Sequence, residues 1–523
     1  MNLYRLTRSI HMNDKRSTVG IIDIGSNSIR VVVYEVTSSG DYRVIHESKE
    51  SARLSEKIGA DGRMEHEGIL SIVPVLSEFK NICTSYECER IRVAATAAIR
   101  NAANASEIVD TLDKHTGLEI EMLSGEEEAY YGFLGVAHGI GAANGFIIDI
   151  GGGSTEITLF RDRKLLHSVS LPFGAVNSNY KFATRSGWTS ESSMELINEL
   201  QGQLRQYDWI SDHPELPLIG LGGTIRSLGK LDQRRSKYPL PMTHHYVLEE
   251  DSVDYYADLL PSISVDQRRR LPGLSKNRVD IIVPGVLILY TIFSYIKAKY
   301  CLISGTGLRE GLLHDVMKTR LPEASEVVDR QVRSLLSFQS TASPRHLNHV
   351  NQLSMQLLDQ LKVSEDEELA RQILHVSAML YKIGASLWYH QYEKHTFYWL
   401  LNAPLGGLTH REIVLIALIA EYRAKNGKQT SAGAYQNSIL KDQDTKLIAQ
   451  LAALLQIAVS LDASETQPIA SIEAEKENKT LTLKLNCRSQ PFIELRELDA
   501  AAKVFQKAWD IKLKWEFQTS SKY

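Results

Sequence analysis

The chain has 523 residues, of which 43% are hydrophobic and 23% charged, and its formal net charge is −4. That length exceeds one ordinary core and implies several domains, while the composition excludes a disordered or fibrous chain. The slight negative charge offers no global attraction to a polyanion, so such a substrate must be met by local basic patches, and nucleic acid is not an expected partner.

Four cysteines, Cys83, Cys88, Cys301 and Cys487, form neither a C-x-x-C pair nor a regular framework. They read as reduced, structural thiols of a cytosolic protein. Met1 to Ser17 is polar and basic without an apolar core, so it does not read as a signal peptide, and Met12 is an alternative start. The longest apolar run, Ile281 to Ile296, contains Pro284 and Gly285 and falls short of a membrane span. A cytoplasmic location is expected, with no membrane partner.

Val19 to Val36 reads as a hairpin-like strand pair with Gly25-Ser-Asn-Ser28 at the bend. Arg30 follows it, suited either to a phosphate in a cleft or to a solvated strand edge. Ile91 to Thr96 is a short strand and Ala97 to Ala105 its following helix. Thr96 and Arg100 thereby fall near a strand's C-terminal end, where open α/β sheets bind ligands. Leu118 to Gly132 reads as a strand and then a helix, with Ser124 and Glu127 at the spacing of a capping box. Acids in a first turn also suit the helix dipole. Glu128 goes beyond what the cap requires, and a carboxylate facing a phosphate loop can take a proton from an attacking water.

The strongest stretch is Phe146 to Glu156, where an apolar strand runs into Asp149 and then Gly151, Gly152 and Gly153. Glycines there let the backbone bend and turn its N–H groups toward an anion. Ser154 and Thr155 add hydroxyls, and Asp149 and Glu156, seven residues apart, offer two carboxylates to a metal. Gly20 to Arg30 repeats Gly145 to Glu156 with one residue fewer: Asp23 matches Asp149, Gly25 matches Gly151 and Ser28 matches Ser154. The duplication implies two similar α/β lobes facing each other across a cleft, a duplicated actin- or sugar-kinase-like arrangement. Leu216 to Arg226 repeats the pattern of strand, glycines (Gly222, Gly223) and a helix from Thr224, and Tyr300 to Gly311 repeats it again. Arg268 to Arg270, Lys276 and Arg278 are a basic concentration that either guides a long anion or is a solvated face. The solvated reading is preferred for Arg268 to Arg270.

Taken in order, Asp23–Arg30, Ala95–Arg100, Ser124–Ala129, Asp149–Glu156, Gly222–Thr224 and Leu308–Gly311 resemble the successive motifs of the exopolyphosphatase/guanosine pentaphosphatase family. The resemblance covers about residues 17 to 315. It implies actin-like (ribonuclease H-like) lobes and hydrolysis of a terminal phosphoanhydride, in inorganic polyphosphate or in guanosine pentaphosphate. Magnesium or another divalent cation is the implied cofactor. Glu128 corresponds to the family's catalytic glutamate, and Asp149 and Glu156 to its acids at the metal. The implied phosphate-binding set is Asp23, Gly25, Ser26, Asn27, Ser28, Arg30, Thr96, Arg100, Gly151 to Thr155, and Gly222, Gly223 and Thr224. The sequence departs from the family at Ser304-Gly305, where a Ser-Asp pair is usual.

Beyond Pro322 the pattern becomes helical to about Ser464, resembling the family's second domain, which is related to HD phosphohydrolases. Tyr381-Lys382 stands at the usual His-Asp pair and Val459 at the later aspartate, leaving only His346 of four ligands. A lysine there would repel a metal, so this domain is expected to lack catalysis, serving to bind polymer or to form a homodimer. His375, His390, His395 and His410 read as ordinary helix residues. Alternation at Leu481, Leu483 and Leu485, a helix from Leu495 to Ala508, and alternation from Ile511 to Phe517 give a small α+β end. The expected organisation is an extension (1–17), two α/β lobes (18–140, 141–316), a linker (317–327), the helical domain (328–464) and the α+β segment (465–523). A kinase would need an adenosine pocket and an acceptor, whose motifs are not apparent. A non-catalytic polyphosphate or alarmone sensor would dispense with the base that Glu128 retains.

Overall fold

In the computed structural model the described residues are 15–59, 61–185, 187–361, 363, 366–422, 432–436 and 438–519. The first sheet is built on β1 (Arg16–Ile24), whose Ile21, Ile22 and Ile24 are fully buried because helices cover both of its faces. With β2 (Ile29–Thr37), β3 (Tyr42–Glu50), β4 (Arg90–Ala95) and β5 (Ile120–Met122) it forms the order β3-β2-β1-β4-β5. β1 runs antiparallel to β2 and parallel to β4, and the Gly25–Ser28 bend lies where the sequence pattern puts it.

The second sheet contains β6 (Gly145–Ile150), β7 (Thr155–Arg161), β8 (Lys164–Leu171), β9 (Leu218–Leu221), β10 (Val247–Leu248) and β11 (Cys301–Ile303). Its order is β10-β11-β9-β6-β7-β8, so β8-β7-β6-β9-β11 repeats the first sheet strand for strand. The register repeats too. Asp23 lies opposite Arg30 across β1 and β2, and Asp149 lies opposite Glu156 across β6 and β7. The long apolar run forms the helix Ile282–Ile296, buried in the core of this lobe except at Ser294, with Tyr290 and Tyr295 partly buried. Among the described residues no helix is long and apolar enough to cross a membrane.

Several local expectations change. The helix after β4 stops at Arg100, and a separate one spans Ala105–Thr116, since Asn101 to Asn104 form turns. The helix after β9 begins at Gly222, not Thr224; Gly222 has φ +85°, which only glycine adopts without strain. The expected extension lies outside the described residues up to 14, and β1 already starts at Arg16. Arg268 is not part of a solvated face: it is buried and donates to the carbonyls of Ile263 and Val279, whereas Arg269 is exposed beside Asp266.

Two helices that carry cleft residues pack with almost no space between their backbones. A Cβ on Gly135 of the helix Gly125–Gly139 would stand 2.0 Å from the Gly307 oxygen, and one on Gly311 of the helix Leu308–Val316 would stand 1.9 Å from the Tyr131 oxygen. Both obstructing atoms are backbone, so neither can rotate away.

A second compact unit begins at Asp329. Its helices include Pro344–Leu358, Glu367–Leu380, Tyr392–Asn402, His410–Glu421 and Asp444–Ser460. They are followed by a sheet of β12 (Ile469–Glu477), β13 (Thr480–Cys487) and β14 (Lys512–Thr519). β13 and β14 are parallel and joined by the helix Phe492–Trp509, as the alternating leucines foretell. β12 is hidden in the sequence by its run of charged, largely exposed residues. The HD-like ligand positions are occupied differently from the sequence reading. The carboxylate near His346 is Asp462, three residues after Val459, bonded to His346 Nδ1 at 2.7 Å, and the Tyr381 hydroxyl lies 2.5 Å from His346 Nε2. Lys382 pairs with Glu465. Both imidazole nitrogens are thus engaged by protein groups. His375 likewise bonds Asn351 and Asp329.

Replacing Gly135 or Gly311 by alanine is expected to destabilise the first unit by about 1–3 kcal/mol through overpacking. Urea unfolding measures this, and an unchanged midpoint for both variants would refute the close-packing account.

Candidate active site

The cleft opens where the two β-turns of the duplicated strands meet the starts of three helices. Asp23, Gly25, Ser26, Asn27, Ser28 and Arg30 line it from one lobe, and Asp149, Gly151, Gly152, Ser154, Gly222 and Gly223 from the other. Thr96 and Glu128 complete the expected set, around a cavity of about 160 Å³. The turns themselves are locked by short backbone bonds: Gly25 N–H donates to Ser28 O at 3.2 Å, and Gly151 N–H to Ser154 O at 3.0 Å. The loops also abut, since a Cβ on Gly152 would lie 2.8 Å from Ser26 Cβ.

Glu128 lies in the first turn of its helix, and the predicted capping box is present, with Ser124 accepting from Glu127 N–H and Glu127 accepting from Ser124 N–H. Glu127 is therefore consumed by the cap, while Glu128 faces the cleft. Arg100 holds it, donating to Glu128 Oε2 at 2.7 Å and to the Leu123 carbonyl at 2.9 Å. The same guanidinium lies 4.0 Å from Glu156. Burial, followed by the nearby Glu156 charge, holds the Glu128 carboxyl well above the usual carboxylate range despite Arg100.

Five expected residues do not line the cavity. Arg100 acts through Glu128. Glu156 is buried behind the lining, accepting from Ser154 Oγ at 2.6 Å and Ser170 Oγ at 2.7 Å. Thr155 Oγ1 donates to the Phe173 carbonyl at 2.5 Å, away from the cleft. Gly153 packs on Ser26 and Ala97. Thr224 is fully buried against Gly285 of the long apolar helix, where an added Cβ would meet its hydroxyl at 2.6 Å.

Asp149 faces the cleft with its carboxyl pushed up to about 7, by burial and then by the Glu156 charge, with Arg226 opposing. Surplus negative charge next to phosphate loops is relieved by a divalent cation, and magnesium characteristically uses one or two carboxylates with water and phosphate oxygens. Asp149, with Glu156 behind it, therefore fits the implied ion, although no group of three or more His, Cys, Asp or Glu among the described residues is arranged to hold a metal.

Three further arginines complete the cleft: Arg278, which the sequence offered only within a basic concentration suited to guiding a long anion, and Arg226 and Arg309, to which it gave no role. Arg226 and Arg278 are both pushed down to about 10, first by burial and then by neighbouring arginines. Arg278 lies on the third loop so closely that a Cβ on Gly223 would stand 1.6 Å from its Nη2. Arg309 is opposed by burial, but Glu310, Tyr34 and Asp23 outweigh this and raise its pKa above the ordinary value. Arg30 and Arg309 both pair with Glu47, at 3.2 and 2.9 Å. Arg30 is thus a cleft residue as well as a strand residue. Glu310 anchors this wall, accepting from Gly307 N–H at 2.8 Å and from Tyr34 OH at 3.0 Å. The available signal was position: Arg226 and Arg309 each follow a glycine turn by a few residues. At the departure from the family motif, Gly305 N–H donates to His244 Nδ1 at 2.9 Å.

A duplicated actin-like α/β fold with paired phosphate loops and an acid–arginine cleft defines a phosphate-handling enzyme. The chain belongs to the Ppx/GppA phosphatase family, matching it over residues 32–320, and matches domain III of Ppx/GppA phosphatases over residues 330–502. It is similar to a solved Ppx/GppA family member of Aquifex aeolicus, at 28% identity over 58% of this chain and 99% of that one, with a TM-score of 0.51. A second structure, of the Aquifex aeolicus PPX-GPPA enzyme, is 29% identical over 58% of this chain and 100% of that one, with a TM-score of 0.50. An exopolyphosphatase from Cytophaga hutchinsonii, 18% identical over 58% of this chain and 98% of that one, shares the fold with a TM-score of 0.53.

The Asp149 carboxyl gives a signed pH dependence. Its pKa rises from 3.8 to about 7 on folding, so the folded chain keeps a proton that the unfolded chain loses between those values. Stability of the metal-free protein should therefore fall as pH rises through this window. Thermal denaturation at pH 5 and pH 8 should show a drop that Asp149→Asn largely removes, and an equally steep drop in the variant would contradict the assignment.

Proposed function

We propose that the protein is a metal-dependent exopolyphosphatase that releases terminal orthophosphate from inorganic polyphosphate. The observation carrying this reading is the set of four arginines, Arg30, Arg226, Arg278 and Arg309, gathered in one cleft with two phosphate loops. Three of them, Arg30, Arg226 and Arg278, have lowered pKa values, the mark of cationic charge awaiting an anion. One terminal phosphate does not need so many guanidinium groups. A chain of phosphates does.

In this reading the amide of Gly152 and those of Ser26, Asn27 and Ser28, rather than the Gly25 and Gly151 amides that close the turns, hold the terminal phosphoryl group. Arg226 and Arg278 neutralise the following phosphates and the charge on the leaving chain. Glu128, oriented by Arg100, aligns a water for in-line attack and takes its proton. A divalent cation bound at Asp149, with Glu156 behind, supplies further charge neutralisation at the phosphoryl oxygens. No covalent enzyme intermediate is required. Guanosine pentaphosphate, which ends in a comparable 5′ phosphoanhydride chain, is the second reading, favoured by the same loops.

Magnesium-dependent phosphate release is the direct test, with long-chain polyphosphate and guanosine pentaphosphate compared at matched chain ends. Faster release from the polymer is expected, and Glu128→Ala should lower it by at least ~100-fold. Preference for the nucleotide would transfer the assignment to alarmone conversion, and release from neither would make the protein a sensor. Arg278→Ala should raise KM for polyphosphate by roughly 10-fold or more, reduce kcat less, and flatten the dependence of KM on ionic strength. A KM left unchanged would remove Arg278 from the substrate track.

A further inference from the structure

The helix Val73–Ser85 ends in a Schellman turn. Cys88 N–H donates to the Cys83 carbonyl at 2.9 Å, Glu87 N–H donates to the Thr84 carbonyl at 3.0 Å, and Glu87 sits in the left-handed region at φ 53°. In this motif the third residue from the helix end and the second beyond its cap ordinarily make an apolar contact. Here both are cysteines. Their side chains converge on Gly20 of β1, where a Cβ would stand 2.5 Å from Cys83 Sγ and 3.5 Å from Cys88 Sγ.

The geometry permits a covalent bond. The backbone hydrogen bond between the two residues themselves caps their Cα separation at roughly 6.8 Å, within the range a disulfide spans. Their environments also differ: Cys83 is buried, whereas Cys88 is partly exposed. The hydrogen bond with Cys88, and then burial, push the Cys83 thiol up, while the hydrogen bond from Cys83 lowers that of Cys88. The accessible sulfur is thus the more acidic one, with a protonated partner behind it.

We propose that Cys83 and Cys88 are a reversible thiol-oxidation site for hydroperoxides. The Cys88 thiolate attacks a peroxide oxygen, forming an S–O bond as the O–O bond breaks, and the departing hydroxide takes a proton to become water. The Cys83 sulfur then loses its proton and displaces hydroxide from the Cys88 sulfenic acid, so that the S–S bond forms as the S–O bond breaks. The proton and hydroxide leave as a second water. The two sulfurs give up two electrons in all, and one hydrogen peroxide is reduced to two waters. A dithiol reverses the bond by exchange. Cys301 is buried in the second sheet, and Cys487 ends β13 of the second unit.

The test treats the full chain with hydrogen peroxide, unfolds it under acid quench, and counts thiols with peptide mapping by mass. The expected result is a fall from four thiols to two. It comes with a Cys83–Cys88 cross-link about 2 Da lighter than the two thiols, and with full recovery in dithiothreitol. In Cys83→Ser, Cys88 should instead be trapped by dimedone as a sulfenic acid. Sulfinic or sulfonic acid at Cys88 with Cys83 still free, a disulfide between another pair, or four thiols surviving peroxide that oxidises glutathione in the same tube would each overturn the proposal. The wild-type measurement decides the matter even if the variant does not fold.

Discussion

Charge held out of water is the constraint on which this structure depends. On one side of the cleft burial raises the carboxyls of Glu128, Asp149 and Glu156, and the Glu156 charge raises the first two further. On the other, burial lowers Arg226 and Arg278, Arg30 lowers both of them further, and Arg226 also lowers Arg278. Direct pairs relieve only part of this, as with Arg100 on Glu128 and Glu47 between Arg30 and Arg309. Like charges brought together without full pairing cost stability, and a fold retains them where a bound group supplies the missing charge. A cation beside the carboxylates and a polyanion along the arginines would relieve both sides at once.

Rigid backbone packing keeps these groups in place. The helix that presents Glu128 and the one that presents Arg309 and Glu310 touch through Gly135 and Gly311, with backbone oxygens where any larger residue would need room. The base and the arginine wall are thus fixed relative to each other by main-chain contact, which is stiffer than a contact between side chains. The two phosphate loops are likewise held by Gly152 against Ser26.

In the second unit the histidine read from the sequence as a leftover ligand is held by hydrogen bonds. His346 lies between Asp462 and Tyr381, and Lys382 is neutralised by Glu465 and lies over the rings of Tyr389 and Tyr392. An imidazole bonded at both nitrogens is structural rather than available to a metal.

The sequence by itself determined the duplicated strands, the four glycine turns, the capping box that leaves Glu128 spare, and the change to helical periodicity beyond Pro322. These are local matters, written in spacing and residue type. Tertiary structure alone decided which groups share the cleft. Arg226 and Arg309 follow glycine turns and Arg278 sits in a basic run, on three separate segments, so only folding shows that they converge. The sequence also could not show that Thr224 and Thr155 turn away or that Arg268 is buried, because a side chain's direction depends on what packs against it. Nor could spacing reveal that Cys83 and Cys88 touch, since their contact depends on Glu87 entering the left-handed conformation, which an ordinary glutamate gives no sign of adopting.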